Sequence, residues 1–343
     1  MHRIALPDDR IVIQGRHDPK QSQCFLWWSG SGIRMRLACT CLEAEITSTA
    51  STHAIWLGVL LDGAPVARLP LQKGTHRYPV LAGMDAGFSH EITLIRDTQP
   101  GYDEEGPAVL EALYTDGEMQ KMEERPLMLE FLGDSLTVGE GCVGPRSGEE
   151  WRMVFISHMP AFPTLTAEAM GAEKRVIALG GWGAARSWDG DENSRIGRIY
   201  DQLCAVIPGG DVPAAFAERP ADAVIINLGT NDASGIAKLP EAEKPAARRQ
   251  LTDRAEELLR QVRARYPEAA ILWAYGLCGS AAEAEIRPAV ERLRREGDTR
   301  VDYLPLTDCN GDVGSRMHPS RAAHRRAALE IQQALKEKWG IGS

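Results

Sequence analysis

LMLEFLGDSL, residues 127–136, is the stretch that decides how this 343-residue chain folds. Positions 127–132 are apolar apart from Glu130, long enough for a strand buried on both faces and too short for a helix. Gly133 permits a sharp turn, and Asp134 and Ser135 are residue types that cap a helix N-terminus. A strand that passes through Gly-Asp-Ser into a helix opens a βα unit.

Downstream, four further apolar runs repeat the theme, at 175–179 (RVIAL), 223–228 (AVIINL), 269–275 (AAILWAY) and 300–306 (RVDYLPL). Between the third and fourth runs overall, Leu251, Ala255, Leu258, Leu259 and Val262 follow helical spacing. Ser280 with Glu283 makes a candidate capping box, or Pro288 sets the first turn of that helix. A last helix is expected from about 320 to 338, with Ala327, Ile331, Ala334 and Leu335 on its inner face. The expected fold from 125 to 343 is a three-layer α/β/α domain, flavodoxin-like, with a five-stranded parallel sheet.

Upstream the period changes to two. Ile33, Met35, Leu37 and Cys39 alternate with Arg34, Arg36 and Ala38, and further short runs occur at 24–28, 42–46, 54–61, 66–71 and 90–96. Asp62-Gly63 between two of them is a hairpin signal. VLEALYTDGEM, after the loop-like QPGYDEEGP, supplies one more strand. Residues 1–124 therefore read as an all-β sandwich of jelly-roll type, with a boundary near 122–126.

The bulk numbers narrow the function. A formal net charge of -9 argues against nucleic acid, whose phosphates need clustered Lys and Arg. Basic residues in 246–265 and 321–326 alternate with acids or small residues, as on a solvated helix face. No run of about 18 apolar residues suggests a membrane span. MHRIALPDDR, at the start, does not resemble a signal peptide, so a cytoplasmic protein is expected. Seven cysteines, at 24, 39, 41, 142, 204, 278 and 309, then read as free thiols. Cys39 and Cys41 lack the spacing and nearby His of a zinc site, and no metal or cofactor is expected.

In open parallel sheets ligands bind beyond the C-terminal strand ends. After the first run comes Ser135, placed as an exposed nucleophile; after the second, Gly180-Gly181-Trp182-Gly183, with backbone amides able to approach an oxyanion. After the third comes Gly229-Thr230-Asn231-Asp232, whose Asn amide offers another donor; after the fifth, His318-Pro319 opens the last helix. Taken singly, each has an ordinary structural explanation as a cap, a glycine turn, an Asx turn or a packing His. Their joint position at the strand ends is what points to chemistry.

In this respect the chain resembles the SGNH, or GDSL, hydrolase superfamily, through GDSL at 133–136, Gly181, GTND at 229–232 and HP at 318–319. A strand-rich domain ahead of such a hydrolase resembles the family-2 carbohydrate esterases, a jelly roll followed by an SGNH domain. The G-x-S-x-G elbow of the α/β-hydrolases is absent. The resemblance implies Ser135 as nucleophile, His318 as general base, and an oxyanion hole from Ser135, Gly181 and Asn231. It implies removal of small acyl groups, acetyl above all, from O-acylated oligosaccharides. An acyltransferase or general short-chain esterase is the alternative on the same scaffold, and a carbohydrate-binding protein with an inert hydrolase half is a third.

One position departs from the pattern. The family places an Asp three residues before the His, and here that residue is Ser315. Asp312 or Asp308, a backbone carbonyl, or a distant carboxylate are the candidate orienting groups. Trp182 and Trp188 are candidates to stack on a sugar, and the long 139–163 loop is expected to wall the pocket with Trp151 and Phe155.

Overall fold

The computed structural model describes residues 1–216 and 219–342. These divide into two compact units, one of Met1–Arg125 with Arg152–Val154 and Gln202–Ala215, the other of the remaining described residues.

The first unit holds β1 (His2–Ala5), β2 (Val12–Gln14), β3 (Cys24–Leu26), β4 (Gly32–Ala38), β5 (Cys41–Ser48), β6 (Trp56–Leu61), β7 (Ala64–Pro70), β8 (Gly74–Ala82), β9 (His90–Arg96), β10 (Ala108–Thr115) and β11 (Glu118–Gln120). They form two antiparallel sheets, β1-β10-β5-β8 with β3 on β10, and β11-β4-β9-β6-β7 with β2 on β4. Alternation along β5 sends Leu42, Ala44 and Ile46 inward, where they join Ile33, Met35, Leu57, Val59, Ile92 and Leu94 of the other sheet in one core. Each Leu, Ile, Val or Met among them stabilises the fold by about 1.5–3 kcal/mol on burial. Asp62 and Gly63 join β6 to β7 with φ of 50° and 78°, the type I′ turn that suits the twist of a hairpin.

The second unit holds β12 (Leu127–Gly133), α1 (Ser135–Val138), α2 (Phe162–Ala169), β13 (Ala172–Ala178), α3 (Ile196–Ile199), β14 (Ala223–Asn227), α4 (Thr230–Ala237), α5 (Lys244–Arg265), β15 (Ala270–Tyr275), α6 (Glu283–Arg295), β16 (Val301–Pro305) and α7 (Arg321–Trp339). Its sheet is parallel throughout, in the order β13-β12-β14-β15-β16. The chain steps one way from β12 to β13 and the other way thereafter. With right-handed crossovers this puts α2 on one face, packed with α7, and α5 with α6 on the other. Strand order reverses between β12 and β14, so the crevice beyond their C-terminal ends is the place for a ligand.

Helix α6 departs from both expectations for its start. Its N-cap is Ala282, without a side-chain cap, and Pro288 lies inside the helix. Ala284, whose carbonyl loses its partner to the proline, is exposed, so water can take that bond. The last helix begins as expected, with Ser320 Oγ accepting from the Ala322 and Ala323 amides.

Candidate active site

Ser135 is the first residue of α1, and Asp134 Oδ1 caps that turn by accepting from the Leu136 amide at 3.0 Å. The turn is fixed, and Ser135 Oγ lies 3.0 Å from His318 Nε2. On the other side of the ring, His318 Nδ1 lies 2.9 Å from the Arg316 carbonyl. A carbonyl can only accept, so the neutral ring carries its proton on Nδ1 and offers the Nε2 lone pair to the Ser135 hydroxyl.

That carbonyl answers the question left by Ser315, which is buried here. The Asp312 carboxylate accepts from Ser320 Oγ at 2.6 Å, while Nδ1 of His318 meets the Arg316 carbonyl instead. Asp308 turns to the Asn310 amide at 2.8 Å.

Among the described residues, the amides of Ser135 and Gly181 donate to no protein acceptor. Gly181 has φ 84°, and a Cβ there would stand 2.9 Å from Trp188 Cδ1, so both backbone and space require glycine. Asn231 Nδ2 behaves differently from the two amides. It donates to the Trp182 carbonyl at 2.8 Å and to Asp134 Oδ2 at 3.2 Å, which occupies both of its hydrogens.

Asp232, beside Asn231, was not singled out from the sequence. Its buried carboxylate accepts from the amides of Ala184 (2.9 Å), Ala185 (2.7 Å) and Arg186 (2.9 Å), pinning the loop that carries Gly181. Burial pushes its pKa up, and the three amide bonds oppose that. Burial likewise pushes the Asp134 carboxyl up to about 7, with Asp232 and Glu140 adding to the rise. Among the described residues no cluster of His, Cys, Asp and Glu is arranged for a metal ion.

Residues 131–326 match the GDSL-like lipase/acylhydrolase family, and this match spans the parallel sheet from Phe131 onward and every site residue named above. The chain belongs to that family. Residues 13–118 match the carbohydrate esterase 2 N-terminal domain. The acetyl xylan esterase Est2A of the rumen bacterium Butyrivibrio proteoclasticus is similar in structure, with TM-score 0.93, 25% identity, and coverage of 99% of this chain and 100% of that one. The acetylxylan esterase/glucomannan deacetylase of Cellvibrio japonicus is 24% identical over 98% of this chain and 91% of its own length. The cellulase/esterase CelE of Acetivibrio thermocellus is 26% identical over 96% of this chain, which spans only 40% of that longer protein.

Around the GDSL serine, the two tryptophans differ. Trp188 is 53% exposed above Gly181, with Lys238 Nζ 3.8 Å from its ring centroid. Trp182 is half-buried and contributes its carbonyl to Asn231. The 139–163 loop holds the turn before His318. The Gly141 amide donates to the Phe155 carbonyl at 3.1 Å, Ser315 N donates to the Gly141 carbonyl at 3.2 Å, and Arg316 N to the Gly148 carbonyl at 2.8 Å. Phe155, expected as a pocket wall, lies against Gly144, and Trp151 is half-buried. Glu140, in the same loop, carries no local sequence signal of a role; its buried carboxylate pairs with the Arg316 guanidinium.

Proposed function

We propose that the protein is a serine esterase that removes acetyl groups from O-acetylated plant-type oligosaccharides or polysaccharides. The observation that carries the reading is the Ser135 Oγ to His318 Nε2 distance of 3.0 Å, beside the two unengaged amides of Ser135 and Gly181. The acetylxylan and glucomannan esterase names of the relatives support the carbohydrate acetyl substrate.

In this mechanism His318 Nε2 takes the Ser135 proton as Oγ attacks the ester carbonyl. The negative charge on the carbonyl oxygen is met by the Ser135 and Gly181 amides, and by Asn231 Nδ2 as it leaves Asp134. The imidazolium then protonates the sugar oxygen as its bond to the acyl carbon breaks, freeing the sugar hydroxyl and leaving acetyl on Ser135. Water, deprotonated by His318, attacks the acetyl-enzyme, and as the acyl–oxygen bond breaks the imidazolium returns that proton to Ser135 Oγ, releasing acetate and the free enzyme. The exposed face of Trp188 offers apolar area and a ring edge for a sugar.

The test is acetate release from acetylated xylo- and manno-oligosaccharides, with and without added alcohol acceptors. Wild type should release acetate, and Ser135→Ala should lose roughly 10⁴-fold or more in kcat. Release that survives in Ser135→Ala refutes the nucleophile. Transfer to the alcohol in preference to water refutes the hydrolase.

A further inference from the structure

We propose that Glu140 and Arg316 form a clamp that holds the turn before His318, so that the Arg316 carbonyl stays aimed at the imidazole. Glu140 is then a positioning residue for the general base, an inference that rests on Ser135 and His318 being the reactive pair.

A carboxylate that orients a histidine is aimed by its own side-chain torsions. A backbone carbonyl is aimed by the chain, so its direction depends on the dihedrals of Arg316 and Met317. Both residues are left-handed, with φ of 54° and 57°, and neither is Gly or Asn. Consecutive non-glycine residues in this region persist only where the surroundings over-determine them. Met317 does not supply that constraint, because its side chain is 71% exposed. Constraint comes from the 139–163 loop. Backbone bonds from Ser315 N to Gly141 O and from Arg316 N to Gly148 O fix the entry to the turn. A Cβ at Gly141 would stand 2.5 Å from His318 Cβ, so loop and turn touch with no room between them.

The side-chain fixing at residue 316 is its ion pair with Glu140. Glu140 is 4% exposed, and its own amide donates to the Ser135 carbonyl at 2.9 Å. One residue thus ties the backbone of the nucleophile to the residue whose carbonyl orients the base. The Glu140 carboxylate does not replace the missing Asp directly. Its Oε2 lies 3.8 Å from His318 Nε2, on the serine side of the ring, while the orienting bond is at Nδ1.

The experiment measures kcat and KM for acetate release by the full chain carrying Glu140→Gln, Arg316→Ala, Arg316→Gly, and Glu140→Gln with Arg316→Ala. Loss of the correct ring orientation costs up to about 10⁴ in kcat elsewhere, and a loosened turn should cost about 10- to 100-fold. Glu140→Gln and Arg316→Ala should each show that loss with KM within about two-fold of wild type. The double variant should be no worse than the slower single, since both remove one interaction. Arg316→Gly should be several-fold faster than Arg316→Ala, because glycine takes positive φ without strain. A purely structural ion pair does not produce that order. The Arg316 variants alter a partly exposed side chain, so they decide the matter even if Glu140→Gln fails to fold. The clamp is overturned if Arg316→Ala is as fast as Arg316→Gly, if both lie within about two-fold of wild type, or if only KM changes. Failure of the underlying reading looks different, since wild type would then release no acetate, or Ser135→Ala would leave release intact.

Discussion

Asn231 is more tightly committed than an oxyanion donor usually is. Its Nδ2 hydrogens hold the Trp182 carbonyl and the Asp134 carboxyl, so it braces the site before substrate arrives. Asn231→Ala should cost about 10²–10³ in kcat. It should also lower the melting temperature modestly, by the roughly 1–3 kcal/mol of a buried group left unpaired. Loss of stability with kcat unchanged would confine Asn231 to bracing. Asp134 gives a second prediction. Its folded-state pKa of about 7 lies above the ordinary carboxylate value, so the fold favours the protonated form. That contribution is complete below about pH 4 and is lost as pH rises through 7. Asp134→Asn keeps an acceptor for the Leu136 amide and has no proton to lose. Its melting temperature should gain on wild type by an amount worth roughly 2–4 kcal/mol between pH 4 and pH 8. A difference that stays constant over that range refutes the shifted carboxyl. Ser135, Gly181, Asn231 and His318 were legible because each stands at a strand end within a short motif. The roles of Asp232, which closes the GTND motif, and of Glu140 were not, because their partners lie 48 and 176 residues away and no local pattern announces such contacts.

At the scale of elements, the period of the apolar residues fixed β12 to β16 and the inner face of α5, whose buried residues include the five with helical spacing. It failed where burial is slight. Strand β8 carries Pro79 and a mostly exposed pattern, because it is the edge of its sheet and pairs only with β5. An edge tolerates proline and polar residues that a central strand excludes. Strands β1 and β2, of four and three residues, are too short for any period to show. The docking of α7 on α2 turns on His324, fully buried, its ring stacked on Phe162 with centroids 5.9 Å apart. Nδ1 accepts from the Phe162 amide at 3.2 Å, so the ring is held neutral, and burial pushes its pKa down to about 3. A histidine depressed in this way contributes stability above its ordinary pKa of about 6.5 and loses it as pH falls towards 3. His324→Gln should be less stable than wild type at pH 7, for want of the stacked ring. Its melting temperature should nevertheless fall less steeply between pH 6.5 and 4. Parallel slopes would mean the ring is not what titrates. Buried His158, also pushed well down by burial, should supply part of the slope that remains.

For the whole molecule, the change of period near 122–126 marks where strands give way to βα units, but it does not describe the first unit fully. Gln202–Ala215, between β13 and β14 in sequence, clusters with residues 1–125. Read as sequence, QLCAVIPGGDVPAA has neither period and looks like a loop. Its partners are specific. The buried Trp28 indole N–H donates to the Leu203 carbonyl at 2.6 Å, and Arg16 Nη1 donates to the Gln202 carbonyl at 2.9 Å. Gly210 comes within 3.0 Å of the Trp27 ring, measured from the Cβ it lacks. Without this segment, the Trp28 indole N–H exchanges its carbonyl acceptor for water, a net loss of about 0.5–1.5 kcal/mol, and both indoles lose apolar cover. A fragment of residues 1–125 should therefore melt at least 5–10 °C below the same fragment with 202–215 joined to it through a flexible Gly/Ser linker, at roughly 4–8 °C per kcal/mol for a domain of this size. Calorimetry on the two fragments makes the comparison without the second unit, so only the segment differs. Equal melting temperatures would make 202–215 a passive loop and would put the division of the chain at the change of period alone. The expected gap means that the second unit's sequence carries part of the first unit's fold, and that a cut at residue 125 removes it.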